Sequence, residues 1–215
     1  MALVPEPEAT TVDVWADVSD RLRQARVSKD MTLRALAARI GVSPSLISQI
    51  ETGKVKPSVN TLYALAVELD VSVDEVLFGG VMSAQSQTAT EDSPAVCVQR
   101  AGGRASVELA PGVLWERLTG ASEPGFDFLH LVYTPGSASV PEGTSHRHGG
   151  REWGYVMSGT LAVEVAGVTH MLDAGDSIAF SSSDVHRLHN PGSVDARAIW
   201  FILGRNDELT PRDTT

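Results

Sequence analysis

The sequence of 215 residues contains a single cysteine, Cys97, so no disulfide can form within the chain. A chain without disulfides has to be stabilised by an apolar core. Hydrophobic residues make up 42% of the sequence, which is enough for one large or two small domains. The lone thiol also favours a reducing compartment over the disulfide-rich class of secreted proteins.

Long hydrophobic runs are missing as well. No apolar run approaches the roughly 18–20 residues that a membrane-spanning helix needs. The N-terminal stretch MALVPEPEATTVDVW contains no basic residue and carries glutamates, which excludes a secretory signal peptide. We therefore expect a soluble cytoplasmic protein without a membrane partner.

Positive charge is scarce, and the formal net charge of −10 argues against a protein that coats nucleic acid along its whole length. The basic residues are nevertheless concentrated. Residues 21–56 contain eight Lys or Arg and two Asp or Glu, whereas residues 84–215 contain nine Arg, no Lys and sixteen acidic residues. This asymmetry indicates different partners for the two halves, although a solvated helical face would have the same composition.

Between residues 14 and 78 the apolar residues recur with helical spacing, and we predict five helices there. Hydroxyl side chains at the predicted helix starts can accept hydrogen bonds from the first turn, and Gly41 can end the second helix in a left-handed conformation. The predicted caps are Thr32, Ser43, Ser58 and Ser72.

Beyond these helices the pattern changes twice. Residues 79–94 are small and polar without periodicity, which predicts an interdomain linker. From residue 95 the period is two, which predicts nine or ten short strands of a barrel or jelly roll, the first of them VCVQ at residues 96–99. The predicted order is a tail at 1–13, an all-α domain at 14–78, the linker, an all-β domain at 95–205 and a tail at 206–215.

A short turn with a glycine, IGVSP, joins the second and third predicted helices, as in a helix-turn-helix motif. The second helix of such a motif lies in the major groove of DNA with its N-terminal side chains at the base edges. Serine can bond to several base edges, and glutamine can pair with adenine through two hydrogen bonds. The polar residues in this position are Ser43, Ser45, Ser48 and Gln49.

The stretch TLRALAARIGVSPSLISQIETGKVKPSVNTLYALAVELDVSVDEVL closely resembles the helix-turn-helix domains of the xenobiotic-response-element and phage-repressor family. The resemblance covers about residues 17–78 and implies a five-helix domain that binds double-stranded DNA, at a pseudo-palindromic operator, as a homodimer. It implies structural roles for Glu51 and Gly53 and groove contacts for the polar set above. Contacts to the DNA backbone are implied for Thr32, Arg34 and Lys54.

The stretch SHRHGGREWGYVMSG, residues 145–159, contains three potential metal ligands. His146 and His148 are two residues apart, so they point to one face of an extended segment, and Glu152 begins the next predicted strand. With His186 they form a set that suits a divalent metal such as Zn, Fe, Ni, Mn or Cu. The alternative is a metal-free pocket in which the same side chains hydrogen-bond an organic ligand.

These residues resemble the two motifs of the cupin superfamily. The first has the form H-x-H-x3-E-x6-G and ends here at Gly159, and the second is matched at Gly175, His186 and Asn190. The resemblance covers about residues 105–203 and implies a double-stranded β-helix barrel with a metal held by His146, His148, Glu152 and His186. Three turn positions depart from the motifs, which bears on loop geometry: Val140, Ser181 and Ser183.

A small-molecule effector pocket is expected beside the motifs. Trp153, Tyr155 and His189 are its candidate residues. For the rings of Trp153, Tyr155 and Trp200 we expect a place in the core or the pocket wall rather than stacking on a cofactor. His189 is also an alternative ligand to His186, whereas we expect His130 and His170 to be ordinary strand or surface residues.

Three functions are compatible with this sequence. We predict a transcriptional regulator whose cupin domain binds an effector, a divalent metal or both, and so changes operator affinity. A metal-dependent cupin enzyme with a fused helix-turn-helix domain, of the oxygenase, epoxidase or isomerase type, is the alternative. Its acid or base would come from Tyr155, Asp184 or His189. An interaction scaffold without chemistry is the third, and fold alone does not separate the three.

Overall fold

The computed structural model describes residues 14–79 and 97–204, except 122, 124 and 144. Within these residues five helices precede nine strands, which confirms the predicted fold class of an all-α five-helix domain followed by an all-β cupin barrel. The predicted tails 1–13 and 206–215 and, apart from Gly79, the predicted linker 79–94 lie outside the described residues. No helix in the described ranges is long and apolar enough to cross a bilayer.

The helices begin where the hydroxyl caps predict. The side-chain oxygens of Thr32, Ser43, Ser58 and Ser72 each accept a hydrogen bond from the backbone N–H three residues on. Gly41 ends the second helix with a φ of 72°, the left-handed conformation that glycine adopts without strain. The helices are α1 (Val14–Ser28), α2 (Leu33–Ile40), α3 (Pro44–Glu51), α4 (Val59–Leu69) and α5 (Val73–Phe78).

A buried ion pair fixes the third helix against the first. The Arg26 guanidinium donates to both carboxylate oxygens of Glu51, at 2.7 and 2.8 Å, and to the Met31 carbonyl oxygen at 2.7 Å. The hydrogen bond to Glu51 raises the pKa of Arg26, so the pair stays charged. The last residue of α3 is therefore used for domain structure, and the earlier part of the helix is left for contacts outside the domain.

The strands form two facing antiparallel sheets. The larger has the order β1-β2-β3-β9-β4-β7 and the smaller β6-β5-β8. The described part of VCVQ, residues 97–99, is not a strand: it pairs with no neighbouring strand, and Val98 is 53% exposed. The bounds are β1 (Ser106–Ala110), β2 (Val113–Arg117), β3 (Phe126–Tyr133), β4 (Arg151–Ser158), β5 (Thr160–Val165), β6 (Val168–Asp173), β7 (Ser177–Ser181), β8 (His186–His189) and β9 (Ala196–Leu203).

The two domains pack against each other, and their apolar cores are continuous. The Trp15 indole N–H donates to the Glu108 carbonyl oxygen at 3.2 Å. Arg117 on β2 pairs with Asp74 on α5 at 3.5 Å, and both side chains are buried. A buried charge pair between domains requires that water is excluded there, so the helical domain is docked on the barrel in this conformation.

Candidate metal centre and DNA-binding surface

Backbone pairing brings the two histidine segments together. The backbone N–H of His146 donates to the His186 carbonyl oxygen at 3.0 Å, and the His186 N–H donates back at 2.8 Å. The His148 N–H donates to the Ser182 carbonyl oxygen at 3.0 Å. The segment before β4 thus runs beside the start of β8, and residues forty positions apart share one site.

The four predicted metal ligands meet inside the barrel. His146, His148 and His186 offer ligand atoms that lie within 4.8 Å of one another. Glu152 Oε1 lies 3.0 Å from His148 Nε2 and 3.2 Å from His186 Nε2. All four residues are buried. The tertiary structure therefore gathers the whole predicted set.

Backbone carbonyls fix the orientation of two of the imidazoles. His148 Nδ1 donates to the Gly149 carbonyl oxygen and His186 Nδ1 to the Asp184 carbonyl oxygen, both at 2.8 Å. Because a carbonyl oxygen only accepts, the proton of each neutral ring is on Nδ1, and the lone pair on Nε2 faces Glu152. This is the tautomer that a metal-ligating histidine needs.

The four side chains fit a divalent cation. A lone pair on Nε2 and a carboxylate oxygen 3.0 Å away repel each other unless a positive charge lies between them. Within the described ranges, neither His148 Nε2 nor Glu152 Oε1 has a partner with hydrogen-bond geometry, although both are buried. Three imidazoles and a carboxylate would hold the ion, and their donor chemistry suits Zn, Fe, Ni, Mn or Cu without selecting one.

Trp200 on β9 orients the carboxylate of Glu152. Its indole N–H donates to Glu152 Oε2 at 2.6 Å, which leaves Oε1 directed at the histidines. Burial by itself raises the pKa of Glu152, but positive charge on the His186 and His148 rings in their protonated form outweighs burial and holds that pKa well below its usual value. A metal ion bound to the neutral rings would supply the same positive charge. The group is therefore a carboxylate, the form that binds a metal.

Sequence reasoning placed Trp200 in the core or the pocket wall and did not foresee this hydrogen bond. The sequence feature that could have indicated this contact is Gly154, which faces Trp200 across the sheet. A Cβ on Gly154 would lie 2.0 Å from the Trp200 ring, so only glycine at this position lets the indole lie over β4 and reach Glu152. Gly154 lies in the quoted motif but has no metal-binding role of its own.

Tyr63 of the helical domain forms part of the wall of this site. Its ring is parallel to that of His148 within 6° at 4.6 Å between centroids, and to that of His146 within 13° at 5.4 Å. Trp115 on β2 supports it edge-on at 6.5 Å. Sequence reasoning missed Tyr63. The signal is that α4 buries Val59 and Tyr63 in addition to Leu62, Leu65, Ala66 and Leu69, an apolar surface as wide as expected of a helix that is covered on two sides.

Trp153 and Tyr155 do not join the histidines. Side chains alternate along a strand, so Glu152, Gly154 and Val156 face the barrel interior, whereas Trp153 and Tyr155 are on the outer face. They are 37% and 49% exposed. Parity therefore separates both rings from the metal ligands. They line a cavity on the outer face with Ile199 and Phe201, and their role in effector binding stays a prediction.

His189 is also turned away from the cluster. It lies three residues after His186 on β8, so its side chain points to the opposite face of the strand. Its Nδ1 contacts the Arg187 guanidinium at 2.9 Å and the Glu164 carboxylate at 3.5 Å. Burial and then the Arg187 charge lower the pKa of His189. His186, not His189, accompanies the other ligands. His130 pairs with Glu116 across β2 and β3, and His170 is exposed on β6.

The predicted DNA contacts are exposed or partly exposed residues of the helical domain. Ser45 and Gln49 are exposed on α3 and Ser48 is partly exposed, and the spacing of i, i+3 and i+4 puts them on one face. Ile47 and Ile50 on the opposite face are buried. Thr32 and Ser43 cap α2 and α3 through their oxygens, which leaves the hydroxyl hydrogen as a donor. Arg34 and Lys54 are exposed.

A cleft of about 710 Å³ lies between the domains. The loop before α4 forms one wall with Lys56 and Ser58, and the barrel forms the other with Glu108, Glu142 and Arg187. Its charged rim carries both signs. A ligand in this cleft would touch both domains at once.

Comparison with known proteins agrees with both halves of this architecture. A helix-turn-helix family model matches residues 22–76, and a cupin domain model matches residues 129–202. The HTH-type transcriptional regulator SutR of Escherichia coli is 27% identical over 81% of this chain and 88% of its own length. The chain is a transcriptional regulator with a helix-turn-helix domain and a cupin domain.

Other relatives also match this regulator over most of its length. The HTH-type transcriptional regulator PuuR of Escherichia coli is 25% identical over 83% of the chain and 90% of its own length. The crystal structure of an HTH_3 family transcriptional regulator from Vibrio cholerae covers 94% of the regulator and 100% of its own chain, with a TM-score of 0.65 and 19% identity. That likeness is one of fold. The helix-turn-helix domain implies DNA binding, and the histidine triad of the cupin domain could hold a metal.

Proposed function

We propose that this regulator binds a pseudo-palindromic operator through α3 and that a divalent metal, a small-molecule effector or both change the affinity of that binding from the cupin domain. One observation carries the proposal. The domain that exposes Ser45, Ser48 and Gln49 for DNA also packs its α4 directly on a buried set of metal-binding side chains. A change at that set therefore acts on the DNA-binding domain without any intermediary.

The assignment of individual residues is part of this proposal. Ser43, Ser45, Ser48 and Gln49 contact base edges, and Thr32, Arg34 and Lys54 contact the DNA backbone. The metal is held by the four side chains that meet inside the barrel. The effector binds where residues of both domains contact it. Two places meet this condition, the histidine cluster under α4 and the interdomain cleft.

The enzyme alternative loses two of its three acid–base candidates. Tyr155 is on the outer face of β4, and His189 faces away from the ligand set. Asp184 contacts the site through its backbone carbonyl, which holds His186 Nδ1. A general acid or base has to reach the reacting group by a hydrogen bond or through one water, and this distribution favours a sensor.

The proposal is tested by selecting fragments of the source genome with the purified full chain, before and after removal of metal with a chelator. We expect a short pseudo-palindrome whose half-sites are about one helical turn, roughly 34 Å, apart. Metal removal should change the affinity for those fragments. Recovered fragments that share no motif would contradict DNA recognition and favour the enzyme alternative.

A homodimer is part of the proposal, because an operator with two half-sites matches a protein with two-fold symmetry. The outer face of the large sheet carries a row of rings that a second copy could cover. Trp153 and Phe128 are directly opposite Phe201 on either side of β9, with ring centroids 5.9 and 6.3 Å from it. An exposed apolar patch of this kind is typical of an interaction site.

The variant Trp153→Glu should therefore lower the mass measured by sedimentation from twice the 22.9 kDa chain mass toward the single value. A carboxylate in an apolar interface loses its water without gaining a partner. Met171→Glu is the control, because Met171 is also an exposed apolar residue, at 55% against 37% for Trp153, but lies on β6 of the smaller sheet. Equal masses for both variants would mean that the dimer forms elsewhere.

A further inference from the structure

The wall that Tyr63 contributes to the histidine cluster differs from the others, because it belongs to the DNA-binding domain. Phe180 lies 5.1 Å from the His186 ring, and Trp200 lies behind Glu152, and both are on strands of the barrel. Tyr63 reaches the cluster from α4 and is itself only 3% exposed. In this conformation the four metal-binding side chains are closed off from solvent.

A closed cluster restricts what can bind there. A metal held by three imidazoles and one carboxylate binds further ligands only if they can approach it, and the parallel stacking of Tyr63 on His146 and His148 leaves the side of α4 covered. Tyr63 is part of a regular helix whose neighbours Leu62 and Leu65 are fixed in the helical core. The ring itself is 3% exposed and packs between Trp115 and the two histidines, so it has no free space to rotate into and withdraws only when α4 moves.

A movement of α4 is a movement of the whole DNA-binding domain. The loop after α3 leads directly to α4, and all five helices share one core. The contacts that would have to loosen are the Arg117–Asp74 pair, the Arg117 guanidinium over the Phe78 ring and the Trp15 bond to Glu108. Opening of the cluster and release of the DNA-binding domain from the barrel are thus one event.

We propose that Tyr63 is a lid on the metal centre, and that a ligand which coordinates the metal has to displace this ring and with it the docked position of the DNA-binding helices. The inference rests on the proposed metal centre and adds how its state is transmitted. The closed conformation excludes the ligand, and the ligand-bound conformation excludes the stacked ring. The ligand therefore shifts the population toward the undocked arrangement.

The experiment uses the full chain loaded with Co²⁺, whose visible absorption reports its coordination, and azide as a small metal-coordinating probe. If the open state makes up about a tenth of the molecules or less, removal of the lid raises the apparent affinity for azide about tenfold or more. We expect this increase in Tyr63→Ala. Tyr63→Phe keeps a ring that can stack and should retain the wild-type affinity.

Two further variants separate the lid from a general effect of mutation. Val67→Ala changes an exposed residue one turn further along the same helix and should leave azide binding unchanged. Asp74→Asn weakens a different interdomain contact, the pair with Arg117, and should raise azide affinity in the same direction as Tyr63→Ala. This second route keeps the test decisive if Tyr63→Ala does not fold, which its circular dichroism will show.

The outcomes distinguish the lid from the metal centre. Equal azide affinities in the wild type, Tyr63→Ala and Asp74→Asn, with Co²⁺ bound to all three, would overturn the lid and leave the metal centre intact. Failure of both the wild type and Tyr63→Ala to take up Co²⁺ would overturn the metal centre, and the lid with it.

Discussion

The variant His148→Ala is expected to hold almost no metal after reconstitution, whereas the wild type holds about one ion per chain. His148 provides a ligand nitrogen whose orientation is fixed by the Gly149 carbonyl oxygen, and it lies 3.0 Å from the carboxylate oxygen of Glu152. The variant keeps two imidazoles and one carboxylate. Water can fill the vacated coordination position, but it is a weaker ligand than imidazole, so the affinity for the metal falls. Elemental analysis of the purified chain measures the result.

His189→Ala is the matched control for this experiment. It removes a histidine from the same strand as His186, but one whose ring contacts Arg187 and Glu164 and faces away from the cluster. Its metal content should equal that of the wild type. Loss of metal in His189→Ala, or retention in His148→Ala, would contradict the ligand set.

Thermal unfolding gives a second measurement of the same prediction. A ligand that binds only the folded chain stabilises it by about 2.7 kcal/mol at a free concentration of 100 times its dissociation constant. For a chain of this size that corresponds to a rise in the melting temperature of about 5–10 °C. The rise should be present in the wild type and His189→Ala and absent in His148→Ala.

The variant Gln49→Ala is expected to lose sequence preference in DNA binding more than affinity for DNA in general. Gln49 is exposed on the same face of α3 as Ser45 and Ser48, where a bidentate contact to adenine is available. Such a contact contributes about 1–3 kcal/mol to discrimination against the wrong base, or roughly a 5- to 150-fold ratio. Titrations of the operator and of single-base variants measure that ratio.

Lys54→Ala is the control for Gln49→Ala. Lys54 is exposed beyond the end of α3, and loss of a phosphate contact should weaken binding to all sequences alike and lower the slope of the salt dependence by about 1. Gln49→Ala should leave that slope unchanged. If wild type and Gln49→Ala discriminate equally among all sequences tested, Gln49 does not contact a base.

Local chemistry determined much of this molecule before any tertiary contact was considered. The helix starts at Thr32, Ser43, Ser58 and Ser72 are where the hydroxyl caps predict, because a cap and its N–H partner are only three residues apart. The spacing of His146 and His148 also places both on one face of an extended segment. Patterns of this kind act within one helical turn or one strand.

Strand parity decided the assignments that the sequence left open. The pocket candidates Trp153 and Tyr155 alternate with Glu152 along β4, so they cannot share its face once Glu152 points inward. The same parity separates His189 from His186 on β8. Which face is the inner one depends on what the strand packs against, and that is a property of both sheets together.

The sequence by itself determined the all-α half, the all-β half, the start of each capped helix and the types of side chain that can hold a metal, because these follow from periodicity, caps and spacing over a few residues. Only the tertiary structure decided that Trp200 orients Glu152, that Asp74 pairs with Arg117 and that Tyr63 covers the histidines. These contacts join residues from different strands or different domains. Their partners are chosen by packing and the exclusion of water, which no local pattern records.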